Sequence, residues 1–146
     1  VGHGFCISFW RNGKGAVLLI DGIVNPALRS LLARVRHTNT LVIADRGFPF
    51  WPQIETVDLS LVDDVPTVQQ VLEAVLREWR AGQAWMAEEF RAANGVERVR
   101  QVEETLRGTP LVFEPHVALK LRVPGAIGLI RTGDTLQYAN IVLESA

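Results

Sequence analysis

Arg36-His37-Thr38-Asn39-Thr40-Leu41-Val42-Ile43-Ala44-Asp45-Arg46-Gly47-Phe48-Pro49-Phe50 runs from polar to strongly apolar to turn-rich. Residues 40–44 form a short β-branched and apolar run without alternation, the pattern of a strand covered on both faces of a mostly parallel sheet. His37 precedes this strand and Asp45 follows it, where the chain gives way to Gly47 and Pro49. Ligands of open α/β sheets gather at the carboxyl ends of strands, so the chemistry is expected near Asp45.

Outward from this strand the chain alternates between the two periodicities. Residues 16–20 are a short apolar strand candidate. Asn25-Pro26 supplies an N-cap and a first-turn proline, and Leu28, Leu31, Leu32 and Val35 follow at helical spacing. Residues 55–60 alternate as a second strand, and Asp63-Asp64-Val65-Pro66 is expected to open a helix with Val68, Val71, Leu72, Val75, Leu76 and Trp79 on its apolar face. Residues 83–94 are ambiguous, because Ala, Met and Glu favour helix there. A helix is expected over 95–106, with Gly108-Thr109-Pro110 as its breaker. Strands are expected at 111–113, 126–130 and 140–143, and Pro115 starts a short helix carrying His116 and Lys120. The result is an α/β class: a single domain with a largely parallel sheet flanked by helices.

Composition narrows the possibilities. A chain of 146 residues with 48% hydrophobic residues has ample material for one core. Its mean hydropathy of +0.15 is high for a soluble monomer, and an excess of that kind points to buried subunit interfaces and hence a homo-oligomer. The net charge of −1 with scattered basic residues argues against nucleic acid as a partner. No apolar run approaches the ~18 residues of a membrane span. The single cysteine, Cys6, allows no internal disulfide and no cysteine metal cluster, which fits a reducing, cytoplasmic setting. Residues 1–13 lack the pattern of a signal peptide and are expected to be an N-terminal extension, with residues 14–146 as the domain. Asn12-Gly13-Lys14-Gly15 lacks the flanking residues of a phosphate loop, and His3 and Cys6 are poor candidates for function.

Two separated motifs carry a resemblance. Around the opening strand stand Arg36-His37-Thr38-Asn39-Thr40 and Asp45-Arg46-Gly47-Phe48-Pro49; far downstream stand Ile130-Arg131-Thr132-Gly133-Asp134 and Tyr138-Ala139-Asn140-Ile141-Val142-Leu143. Together they resemble the RbsD/FucU sugar mutarotase family, over essentially residues 14–143. The resemblance implies a strand near residues 84–88, which decides the ambiguous segment. It also implies interconversion of the cyclic forms of a free aldose, with D-ribose favoured over L-fucose, and no metal or redox cofactor. Its assembly expectation is a closed ring, often stacked as a decamer, with pockets between neighbouring subunits.

The same resemblance implies roles for individual residues. Taken alone, a histidine placed like His37 is more often a partner for a stray backbone group than a catalyst; the resemblance makes it the general acid/base, for which an ordinary imidazole pKa near ~6.5 is suited. Asp45 by itself reads as a turn cap, and by resemblance as the carboxylate that bonds sugar hydroxyls and can orient the histidine. His116 and Lys120 share a helix face at a spacing of four, and both match sugar-site positions. Tyr138, Ala139 and Asn140 by themselves read as a strand start; by resemblance they supply side-chain and backbone bonds to the sugar. Arg131 is expected to hold the Thr132-Gly133-Asp134 turn. Trp51 is core by default or a stacking surface for a sugar face. Arg46 and Arg36 depart from the pattern, Arg46 by replacing a small residue and so narrowing or recharging the pocket. A non-catalytic sugar-binding protein and a metal-assisted isomerase are the competing readings, though only His37 and His116 are plausible metal ligands.

Overall fold

The computed structural model describes residues 22–146; the strand expected at 16–20 and the leader 1–13 lie outside them. In chain order the elements are α1 (Pro26–Arg34), β1 (Thr40–Ala44), β2 (Glu55–Asp58), α2 (Val68–Glu78), β3 (Ala81–Ala87), α3 (Glu88–Asn94), α4 (Val96–Leu106), β4 (Leu111–Glu114), α5 (His116–Arg122), β5 (Gly128–Arg131) and β6 (Ile141–Ser145). The strands form one sheet in the order β2-β5-β1-β6-β3-β4.

Strand β1 shows why its sequence has no alternation. Leu41, Val42, Ile43 and Ala44 are all fully buried, yet successive side chains enter different cores. Leu41 and Ile43 pack with Leu28 and Leu31 of α1, Val71, Leu72 and Val75 of α2, and Val99 and Val102 of α4. Val42 and Ala44 face the other side, with Phe48, Leu119 of α5, Val123 and Leu129. Truncating Ile43 to alanine in such an environment costs about 2–5 kcal/mol.

The sheet is mixed. β1 runs parallel to β5, β5 to β2 and β3 to β4, but β6 is antiparallel to both β1 and β3. A parallel neighbour needs a crossover connection, usually a helix. Only a short loop separates Arg131 from Ile141, so the last strand must turn back, and it enters the sheet centre against the direction of β1.

Helix α1 forms as its sequence directs: Asn25 Oδ1 accepts the Leu28 N–H at 2.9 Å, and Pro26 occupies the first turn. Helix α2 starts later than the acidic pair suggested. Thr67 is its N-cap, forming a reciprocal capping box with Gln70, so Asp63 and Asp64 lie in the preceding loop with their carboxylates free for other partners. The ambiguous segment divides: residues 81–87 form a strand paired on both edges, to β4 and β6, and helix begins only at Glu88. Pairing on two sides overrides the helical preference of Ala and Met there.

Candidate active site

The carboxyl end of β1 delivers Asp45 to a cleft of about 550 Å³, whose lining also includes Arg46, Phe48, His116, Lys120, Tyr138 and Asn140. Asn140 reads Asp45 twice. Its Oδ1 accepts the Asp45 backbone N–H at 2.8 Å, and its amide lies close enough to the Asp45 carboxylate to favour the charged form. Burial pushes that carboxyl above the ordinary range, opposed by the Asn140 amide and the backbone N–H groups of Gly47 and Phe48, and reinforced by nearby Asp134.

His116 opens α5. Its backbone N–H donates to both Glu89 carboxylate oxygens at 3.1 Å, tying the helix start to α3. The imidazole lies edge-on to Tyr138, with centroids 5.1 Å apart, and to Phe48 at 6.2 Å. Nε2 is buried without a hydrogen-bond partner among the described residues. Burial, and then the Lys120 ammonium, lowers the His116 pKa against the pull of Glu89 and Asp45, so the ring is neutral near neutral pH. Lys120 lies one turn along α5 on the same cleft. Tyr138 takes a left-handed backbone conformation, φ 58°, which turns its ring to His116 while Ala139 and Asn140 drop into the interior.

Five of the six substrate-binding residues read from the sequence therefore converge. Asp45, His116, Lys120, Tyr138 and Asn140 line one cleft, while the Ala139 side chain packs in the core behind it. His37 is not with them. It stands exposed on the turn at the opposite end of β1, where Arg36 N–H donates to Asn39 Oδ1 at 2.8 Å and the left-handed Thr38 N–H donates to the Ser145 carbonyl at 3.3 Å. Five strand residues at ~3.3 Å each keep the two ends of β1 roughly 15 Å apart. Within one chain Asp45 therefore does not orient His37.

Of the other residues singled out, Arg131 sits differently from expectation, while Trp51 takes its default place against the core. Arg131 holds the Asp45 loop, with Nη1 donating to the carbonyls of Asp45 and Arg46 and Nη2 to that of Pro49, all at 3.2 Å. The Thr132-Gly133-Asp134 turn is held instead by Thr132 Oγ1, which donates to the Ala44 carbonyl at 2.8 Å. Trp51 packs beside Phe48, centroids 6.4 Å apart, and is not part of the cleft lining. Arg46 lines the cleft but its guanidinium pairs with Asp63. Glu89, Phe48 and Asp134 escaped the sequence reading; Glu89 lay in the ambiguous segment, and Phe48 and Asp134 read as turn residues. Among the described residues no group of three His, Cys, Asp or Glu side chains could hold a metal ion, and no helix is long and apolar enough to cross a membrane.

A carboxylate, a carboxamide, a phenol, a neutral imidazole and an ammonium in one open cleft offer the mixed donors and acceptors that a small polyol requires. The fold is thus that of an α/β protein with an open, polar cleft at the carboxyl end of β1. Residues 18–146 match the RbsD / FucU transport protein family, and the chain belongs to it. It is 39% identical to the D-ribose pyranase of Geobacillus kaustophilus over 125 residues, covering 86% of this chain and 91% of that one. It is 36% identical to the D-ribose pyranase of Corynebacterium glutamicum, covering 86% and 94%. Bacillus subtilis RbsD complexed with D-ribose superposes with a TM-score of 0.82 at 31% identity, covering 86% of this chain and 95% of that one. The Streptococcus pneumoniae fucose mutarotase in complex with L-fucose shares the fold, with a TM-score of 0.71 at 16% identity over 84% and 93% of the two chains.

Proposed function

We propose that this chain is a sugar mutarotase of the D-ribose pyranase kind, interconverting the cyclic forms of a free aldose, with D-ribose as substrate. The observation that carries this reading is the cleft in which Asp45, Asn140, Tyr138 and His116 converge, in a chain whose relatives of more than a third identity are named D-ribose pyranase. Asp45 and Asn140 bond sugar hydroxyls, Tyr138 and His116 hold the ring, and Lys120 donates to an outer hydroxyl. His37 is the proton shuttle. It takes the proton of the anomeric hydroxyl and returns a proton to the ring oxygen as the bond from the anomeric carbon to that oxygen breaks, so that an open-chain aldehyde results and the imidazole ends neutral. Rotation and attack by a different hydroxyl close the new ring. The reaction is spontaneous in water, so a positioned acid/base contributing roughly 10²–10⁴ in rate is enough.

His37 acts, in this reading, on the cleft of a neighbouring copy. Two features support it: the exposure of His37 on a turn remote from its own cleft, and the surplus of exposed apolar side chains, among them Phe50, Leu61, Val62, Val117 and Leu121. A closed ring, stacked as a decamer, supplies such neighbours, and the cytoplasm suits a chain with a single cysteine. A second reading, a sugar-binding protein without turnover, is favoured by the separation of His37 from the cleft within one chain.

Saturation-transfer NMR on D-ribose, L-fucose and related aldoses tests both. Accelerated exchange between ribopyranose and ribofuranose, unchanged by a chelator, is expected. Binding without accelerated exchange supports the second reading, and activity lost on chelation and restored by one added metal supports a metal-assisted isomerase.

A further inference from the structure

The Asp63-Asp64 pair reaches residues of both walls of the cleft from a loop outside its lining. The Asp63 carboxylate pairs with Arg46 on the wall that follows Asp45. Asp64 Oδ1 accepts the Thr135 N–H at 2.9 Å and the Thr135 hydroxyl at 2.7 Å on the opposite wall. The Asp64 N–H donates to the Gly133 carbonyl at 2.7 Å, and the Gly133 N–H to the Pro66 carbonyl at 2.9 Å. Asp64 has φ 62°, a left-handed conformation that aspartate tolerates better than most residues. This backbone conformation accompanies a carboxylate directed at one residue.

Residues 135–138 form the wall that ends in Tyr138. Its far end is tied by Asn94 Nδ2, which donates to the Gln137 carbonyl at 2.8 Å. Behind it lies a second cavity of about 340 Å³, floored by Leu72, Phe90 and Val102 and closed on the cleft side by Thr135 and Leu136. The Leu136 N–H also donates to the buried Asp134 Oδ1 at 2.8 Å, so release of the near end frees Thr135, with room behind it to sink away from the sugar. The two carboxylate arms are unequal. Arg46 and Asp63 have 58% and 63% of their side-chain surfaces exposed, and an exposed, salt-screened pair holds weakly. The Asp64 arm is exposed as well, but it places two charge-assisted bonds, one from a backbone N–H and one from a hydroxyl, on a single residue of the wall.

We propose that Asp64 is a positioning residue for the sugar cleft: by anchoring Thr135 it fixes the near end of the 135–138 wall and so the seat of Tyr138 against His116. The proposal rests on the reading of the cleft as a sugar site. Loss of the anchor weakens sugar binding and leaves the chemistry of a bound sugar intact.

Two variants separate the carboxylate from the backbone conformation. Asp64→Gly suits φ 62° best and removes the anchor; Asp64→Asn tolerates the same conformation and keeps the accepting oxygen. Asp64→Gly is expected to raise the KM for D-ribose by roughly three- to ten-fold with kcat unchanged, while Asp64→Asn stays near wild type. Equal KM in wild type and Asp64→Gly, equal losses in the two variants, or a fall in kcat alone overturns the proposal. Amide hydrogen exchange at Thr135, read without sugar, decides the anchor independently. Faster exchange in Asp64→Gly alone supports it, and equal protection in all three proteins overturns it. Failure of the wild type to bind any aldose would defeat the proposed function and leave this readout standing.

Discussion

The backbone N–H of Asp45 donates to the side-chain Oδ1 of Asn140 at 2.8 Å, a bond between residues 95 positions apart. It joins the two stretches of sequence that resemble one family into a single unit of structure. Asn140 is only 2% exposed, so removing its side chain leaves a backbone donor and a carboxylate short of partners inside the protein. Asn140→Ala should lower unfolding stability by about 1–3 kcal/mol, measured by urea denaturation, and should abolish sugar binding. A variant of wild-type stability would show that water replaces the amide.

His37→Ala should slow exchange between ring forms by roughly 10²–10⁴ while D-ribose still binds, because the imidazole is given proton transfer and not contact alone. Tyr138→Ala should be inactive through lost binding. When the two variants are co-assembled, some interfaces combine an intact His37 with an intact cleft, and partial activity should return. Mixed oligomers that form but stay inactive would argue for a site within one chain, and a monomer in solution would defeat the shared site outright.

The two titrating cleft residues should tilt stability in opposite directions. Burial raises the Asp45 carboxyl, so the native state binds protons more readily there than the unfolded chain does. Its contribution is present below the ordinary carboxylate range and is lost as pH rises through the raised value. For His116, burial and Lys120 lower the imidazole, so its contribution is present above the ordinary histidine value and is lost as pH falls through the lowered one. Thermal midpoints from weakly acidic to neutral pH should show the first slope flattened in Asp45→Asn and the second in His116→Gln. Unchanged slopes in both variants would remove these groups from the pH dependence.

Two glycines make a matched test of packing. A Cβ on Gly133 would lie 2.3 Å from the Val62 carbonyl oxygen and 2.9 Å from that of Val65, both backbone atoms that cannot step aside. On Gly128 the nearest atoms, at 2.7 and 2.8 Å, are the methyl carbons of Leu31, which a rotamer change can move. Gly133→Ala should therefore destabilise by about 1–3 kcal/mol or more and Gly128→Ala by less, compared by chemical denaturation. The reverse order would mean that the 61–66 loop yields more easily than the core.

Much of the element pattern was legible from residue spacing alone. Asn25-Pro26 set the start of α1, the unbroken apolar run of residues 40–44 announced a strand buried on both faces, and helical spacing marked α2 and α4, because these are local consequences of backbone geometry and burial. The resemblance named Asp45, His116, Lys120, Tyr138 and Asn140 together, and the fold brings them to one cleft. Pairing decided the rest. The short link after β5 turned the last strand antiparallel, and pairing on two edges drew residues 81–87 into the sheet, where the resemblance, not residue spacing, had placed a strand near 84–88. A closer capping pair at Thr67 and Gln70 left Asp63 and Asp64 to reach the walls of the cleft. Arg131 likewise holds a loop more than eighty residues earlier rather than the turn beside it. The same physics separates His37 from Asp45, neighbours in sequence that an extended strand holds at opposite edges of the sheet, while it brings Asn140 against Asp45 because β6 lies beside β1. Local preference is written in neighbouring residues; which distant groups meet depends on strand order and direction, and these exist only once the chain has packed.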